Sequence, residues 1–279
     1  MLTRRALVGG LAAVPLLGAT PDDVAELEQR SGGRMGVVIH DSGSAAALRW
    51  RADERFPLCS VVKLFLAAAV LARVDAGTER LARRVPVNLA AVVGHAPVTR
   101  PLIGGSATLA TLCQAAMTVS DNGAANLLFD VLGGPAAVTA WLRTIGDGVT
   151  RLDRIEPALN ECRPGDPRDT TTTAAAATIL RRLTLGKVLK PQSRVQLNAW
   201  LAANTTGGAR LRAGVPSSWL TGDKTGTSSE AAGTSNDIAV LYPPARAPIV
   251  VAAFLTRSQL DGAGRDGILA AVGRIAATI

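Results

Sequence analysis

Cys59-Ser60-Val61-Val62-Lys63 opens an apolar run, Leu64-Phe65-Leu66-Ala67-Ala68-Ala69-Val70-Leu71, and the rest of the chain is read outward from it. The run is strongly helical, with Ser60 in its first turn and Lys63 three residues later. Side chains three apart on an α-helix lie one above the other. The lysine nitrogen can therefore reach the serine oxygen. A helix N-terminus also leaves unpaired backbone N–H groups and a positive dipole end beside that oxygen. A serine hydroxyl is a weak nucleophile until a neighbour takes its proton, so Ser60 and Lys63 form a candidate activated pair. An ordinary capped helix start with a solvated lysine satisfies the same pattern, and the choice rests on what lies downstream.

From Ser60 to Asn204 helical patterns dominate: Ser60–Ala76, Leu109–Val119, Ala124–Leu132, Pro135–Ile145, Thr172–Leu185 and Gln192–Ala202. Gly77, Gly133-Gly134, Gly146 and Gly186 end several of them. On either side the pattern turns to strands. Before Ser60, a helix from Thr20-Pro21 to about Arg30 precedes Gly36–His40 and Ala46–Trp50. After Asn204 come Leu220–Thr227, Asn236–Tyr242, Pro248–Thr256 and a final helix, Arg265–Ile279. Strands at both ends with helices between predict an α/β (α+β) fold of two lobes. One lobe, 20–52 with 205–279, is an antiparallel sheet flanked by N- and C-terminal helices. The other, 53–204, is an inserted all-helical lobe.

Apolar content of 48% against 19% charged describes a globular chain, and only 3% aromatic content leaves the core to alanine, valine and leucine. The net charge is +8, or +6 once Arg4 and Arg5 are removed, with 28 basic against 22 acidic residues. The basic residues are scattered, and few aromatics are present to stack on bases, which argues against a nucleic-acid partner. Thr3-Arg4-Arg5 followed by an apolar stretch to Leu17 and Gly18-Ala19-Thr20 reads as a signal peptide over 1–19 with a twin-arginine-like start. Export to the periplasm or medium follows as an expectation. No cysteine near the exit and no later apolar span predict no stable membrane anchor, and a monomer is expected. Three cysteines and two histidines, scattered without ligand spacing, predict no metal and no cofactor.

Three further signals join Ser60 and Lys63. Ser120-Asp121-Asn122 falls between two helices. Glu156-Pro157-Ala158-Leu159-Asn160 lies in a proline- and charge-rich loop. Lys224-Thr225-Gly226, followed by Thr227, lies in a β-like segment, where an internal glycine marks close approach by a ligand or another backbone. In this order the motifs resemble those of the class A serine β-lactamases, whose set is S-x-x-K, S-D-N and K-T-G. The likeness runs from about Asp22 to the C-terminus. It extends to Glu54–Ser60, Ser120–Leu128 and Asn204–Gly207, and it implies a β-lactamase/transpeptidase-like fold.

The resemblance implies roles. Ser60 would attack the lactam carbonyl, and the Ser60 and Thr227 N–H groups would form the oxyanion hole. Lys63 and Glu156 would share the proton work, with Glu156 driving deacylation through a water. Asn160 would hold that water, Ser120 would pass a proton to the lactam nitrogen, and Asn122 would bind the acylamide side chain. Lys224, Thr225 and Gly226 would face the substrate carboxylate, with Arg210 as the added cation and His95 at the rim. Arg154 and Asp169 would close the glutamate loop as an ion pair. Val61-Val62 departs from the polar-aromatic pair more usual within the first motif. Ser228 and Ala67 stand where disulfide partners for Cys59 and Cys113 would be, so free thiols are expected, with both cysteines in the core. A penicillin-binding D,D-peptidase shares the serine motifs, and the Glu156 loop separates the two readings. A serine-dependent glutaminase fits the Ser-Asp-Asn and glutamate segments less well. A lactam sensor would need a tether that the sequence does not show.

Overall fold

Ile249–Thr256 is apolar at nearly every position, as a strand covered on both faces must be. In the computed structural model, which describes residues 20–44, 47–228 and 230–279, this strand is β9 and is buried throughout. It pairs antiparallel with β1 (Arg34–Asp41) on one side and β8 (Ser235–Tyr242) on the other. β2 (Ala47–Trp50) and β7 (Leu220–Thr227) complete a five-stranded antiparallel sheet of order β2-β1-β9-β8-β7. The expected leader over 1–19 lies outside the described residues, as does Ala46, where β2 was expected to begin.

Alternation along the strands divides the interior in two. Val250, Ala252 and Phe254 of β9 join the core of the 53–204 segment. Ile249, Val251, Ala253 and Leu255 face the opposite layer with Val24, Leu27, Ile268 and Val272. Those four residues come from α1 (Pro21–Ser31) and α9 (Gly262–Thr278), so helices from the two ends of the described chain cover one sheet face. α9 starts three residues before the expected Arg265. The Asp261 carboxylate caps it by accepting from Gly264 N–H at 2.8 Å, which carries the helix across Gly262 and Gly264.

α2 (Val62–Asp75) is apolar all round and buried from Val62 to Leu71, which makes it the axis of the helical segment. α3 (Leu109–Thr118), α4 (Asn122–Leu132), α5 (Pro135–Thr144) and α7 (Pro191–Ala202) pack around it. α6 (Thr173–Thr184) bridges this layer to the sheet, and the short α8 (Leu211–Gly214) sits against α9. The segment expected to be all-helical also carries two short ladders. β3 (Arg55–Pro57) pairs with β6 (Thr170–Thr172), and β4 (Arg84–Pro86) pairs with β5 (Ser106–Thr108). Runs of three residues are too short for an alternation pattern to reveal. The β3–β6 ladder matters because it fastens the start of the Ser60 segment to the end of the glutamate loop.

Candidate active site

Ser60 does not open α2 directly but sits in a 3-10 turn, Cys59–Val61, that leads into it. Cys59 holds φ at +47°, a left-handed conformation that a non-glycine residue adopts only when its surroundings enforce it. Asn236 of β8 supplies that enforcement, donating from Nδ2 to the carbonyls of Pro57 (2.8 Å) and Leu58 (3.1 Å). Lys63 then lies one turn along, fully buried. Its Nζ is 2.8 Å from Ser60 Oγ, 2.9 Å from the Ser120 carbonyl, 3.1 Å from Ser120 Oγ and 2.7 Å from Asn122 Oδ1. Glu156 Oε1 lies 3.0 Å from the same nitrogen. Burial pulls the Lys63 ammonium below the usual lysine range, and the Glu156 carboxylate opposes that pull. The result is an amine that can release its proton beside a serine hydroxyl.

The glutamate reaches this point through a loop fixed at several places. Asp169 Oδ1 accepts from the Asp153 and Arg154 backbone N–H groups (2.8 and 3.0 Å), and Oδ2 accepts from Arg154 Nε at 2.6 Å. This is the ion pair the sequence reading placed across the loop. Asn126 on α4 holds Glu156 itself. Its Oδ1 accepts from Glu156 N–H at 2.9 Å and its Nδ2 donates to the Glu156 carbonyl at 3.1 Å. Asn160 Nδ2 donates to Glu156 Oε2 at 2.5 Å. Glu156 Oε1 is held by the Lys63 ammonium at 3.0 Å, whereas Asn160 Oδ1 is a buried acceptor with no protein donor.

The opposite wall is β7. Gly226 is required there, because a Cβ would meet the Leu58 carbonyl at 2.6 Å and Cys59 Cβ at 3.2 Å. Its absence lets the strand run against the nucleophile turn, with Thr227 emerging at the end. Lys224 is fully buried, donating to the Thr225 carbonyl at 2.9 Å and standing 3.3 Å from Ser120 Oγ. Burial, with the neighbouring Lys63 charge, lowers its ammonium to about 7. Thr225 Oγ1 meets Thr206 Oγ1 at 2.5 Å. Arg210, 7% exposed, lies behind Thr227: Nη2 donates to Thr227 Oγ1 at 2.8 Å, Nη1 to the Gly226 and Asn236 carbonyls, and Nε to Asp266. Its charge reaches the cleft largely through the Thr227 hydroxyl. His95 is exposed at the rim, with Nε2 2.9 Å from the Val119 carbonyl.

Ser60, His95, Ser120, Asn122, Asn160, Arg210, Thr225 and Thr227 thus line one cleft of about 250 Å³. Lys63, Glu156 and Lys224 lie beneath them. Every candidate residue of the sequence reading is in or under this cleft. Sequence reasoning missed Asn126, Thr206 and Asn236, which position the others. Asn126 carried a signal, standing four residues after Asn122 on the same helix face. Thr206 stood inside the quoted Asn204–Gly207 segment, whereas nothing local marked Asn236. Asp121, the middle member of its motif, does structural work, capping α4 and accepting from Val98 N–H, Thr99 N–H and Thr99 Oγ1. Among the described residues no group of three or more His, Cys, Asp or Glu is placed to hold a metal ion.

The model of the β-lactamase enzyme family matches residues 20–279. β-Lactamase OXY-2 of Klebsiella oxytoca is 45% identical over 274 residues, covering 95% of this chain and 94% of the relative. β-Lactamase L2 of Stenotrophomonas maltophilia is 51% identical over 255 residues, 91% of this chain and 84% of the relative. Among solved structures, an ancestral class A β-lactamase superposes with a TM-score of 0.89 at 58% identity, covering 91% of this chain and 97% of the other. A β-lactamase from Xanthomonas campestris superposes at 0.88 with 49% identity, covering 91% and 94%.

Proposed function

The chain belongs to the β-lactamase enzyme family and is a class A serine enzyme of it, and from that premise we propose the roles of its residues in hydrolysing β-lactam antibiotics. The observation that carries the reading is Lys63 Nζ standing 2.8 Å from Ser60 Oγ and 3.0 Å from Glu156 Oε1 in a buried site. Ser60 attacks the lactam carbonyl as its proton leaves along this path, directly to a neutral Lys63 or onward to Glu156. The N–H groups of Ser60 and Thr227 receive the developing oxyanion. Ser120, within reach of both Lys63 and Lys224, returns a proton to the departing lactam nitrogen. The product of this half-reaction is an acyl-enzyme on Ser60.

Deacylation needs a water held beside the ester. Asn160 Oδ1 supports this step, being a buried acceptor suited to one hydrogen of a water, with the Glu156 carboxylate beside it 2.5 Å from Asn160 Nδ2. Glu156 takes the proton as that water attacks. Lys224 and Thr225, backed by Arg210 through Thr227, bind the substrate carboxylate, and Asn122 binds the acylamide. His95 contacts substrate at the rim. We read the cleft as lying between the lobe of 20–52 with 205–279 and the lobe of 53–204. We read the enzyme as a monomer exported by the twin-arginine route. Its activity confers resistance to the antibiotics it opens.

The test follows a chromogenic cephalosporin over many equivalents with the protein and with Glu156→Ala, the fold of each verified by near-UV circular dichroism. Sustained turnover by the first and one stoichiometric burst by the second are expected. A single burst from both would instead make the protein a penicillin-binding acyl-acceptor.

A further inference from the structure

The three cysteines are unused by this chemistry, yet two of them meet. Cys59, fully buried beside Ser60, and Cys162, six residues beyond Glu156, place their sulfurs 3.4 Å apart although 103 positions separate them. Both residues hold positive φ, +47° and +51°. Cys113 is buried elsewhere in the core. A disulfide requires about 2.05 Å between sulfurs, so closure takes an approach of about 1.4 Å. Cys162 belongs to a loop, where such a shift is accessible.

The surroundings favour reaction at Cys162. The neighbouring Cys59 thiol, the Thr234 and Ser228 hydroxyls and the Arg154 charge hold its thiol below the usual cysteine range. Cys162 also lines a cavity of about 350 Å³ on the far side of the glutamate loop, and Arg34, Arg55, Arg163 and Arg257 surround that opening against Glu54 and Asp166. The excess of guanidinium groups suits an anionic reagent. Cys59, by contrast, is sealed, and the Cys162 contact together with burial raises its thiol well above the usual cysteine range.

We propose that Cys162 is a modification site for anionic disulfides such as oxidised glutathione, and that Cys59 resolves the adduct into a Cys59–Cys162 disulfide fastening the Glu156 loop to the nucleophile turn. The Cys162 thiolate attacks one sulfur of the oxidant and expels one glutathione thiolate. Cys59 then attacks Cys162 Sγ, its proton passing to the second departing glutathione. One dithiol and one disulfide become one protein disulfide and two thiols. The cross-link is independent of the hydrolytic reading, and only its effect on turnover rests on that reading.

The reduced full-length chain, incubated with oxidised glutathione, acid-quenched and alkylated in denaturant, should keep one alkylatable thiol, on Cys113. Non-reducing peptide mass mapping should find Cys59 joined to Cys162. Cys59→Ser should hold a stable glutathione adduct on Cys162, and Cys162→Ser should react at no cysteine. Hydrogen exchange of amides 153–169 should slow several-fold in the oxidised protein. Three alkylatable thiols in the treated wild-type chain, or an adduct on Cys162 that Cys59 never displaces, would overturn the proposal. Unchanged exchange in the cross-linked protein would overturn the fastening. A cross-link formed in a protein without lactam turnover would defeat the hydrolytic reading alone.

Discussion

Lys224 sits where burial and a second cation combine, and its lowered ammonium has two consequences of opposite sign. Between about pH 7 and the ordinary lysine range the unfolded chain holds more protons than the folded one, so this residue's contribution to stability rises with pH across that window. Its attraction for a carboxylate runs the other way, fading as pH climbs above about 7. The expected outcome is a KM for anionic lactams that rises from pH 6 toward pH 9. Lys224→Arg, whose guanidinium keeps its charge, should flatten that rise. Parallel profiles of KM and kcat for the two proteins check this, and an identical alkaline rise in both would place the titration on another group. Lys63 titrates in the same low-dielectric site, but its effect belongs on kcat. At this scale the sequence was informative, because short motifs carry reacting groups in fixed local order. It was silent about Asn236 and Thr206, whose partners are distant in the chain.

Among the elements, the glutamate loop carries Glu156 and is held by a few identifiable side chains. Asp169 joins two backbone N–H groups and the Arg154 side chain, and Asn126 grips Glu156 from α4. Asp169→Asn keeps an acceptor for the N–H groups but removes the charge facing Arg154. A hydrogen bond to a charged group contributes about 1.5–3 kcal/mol, so deacylation should slow by about one to two powers of ten. Acylation by Ser60, in the turn before α2, and Lys63, in its first turn, should change far less. Rapid-quench mass spectrometry would then find acyl-enzyme accumulating, and equal slowing of both steps would count against the loop as the seat of deacylation. Helices and long strands were legible because apolar periodicity and capping residues are local properties. The three-residue ladders and the early start of α9 were not. The ladders are fixed by what they pair with, and a single carboxylate at Asp261 decided the helix start against its own glycines.

For the molecule as a whole, the two cores meet through the sheet, and the contact between β9 and the Ser60 segment is aromatic. Phe254 and Phe56 are fully buried with ring centroids 6.3 Å apart. A Cβ on Gly36 would meet the Phe56 ring at 2.5 Å, so β1 is shaped around it. Phe254→Ala should cost about 3–5 kcal/mol through lost burial and the cavity left behind. At roughly 2–4 °C per kcal/mol, the melting temperature should fall by roughly 6–20 °C. Calorimetry measures this, and a shift below a few degrees would mean that the site collapses around the deletion.

The strand order has a bearing on how the protein is made. β1 lies inside the sheet, with Val37 opposite Ala253 on β9, so its permanent neighbour is translated long after β1 itself. A nascent chain grows from its N-terminus at roughly 5–20 residues per second. Until Ile249–Thr256 has left the ribosome, β1 has one bare edge of backbone donors and acceptors, the kind of edge that recruits other chains. Translation halted between Thr227 and Ile249 therefore releases polypeptides that hold every catalytic side chain and still cannot close their sheet.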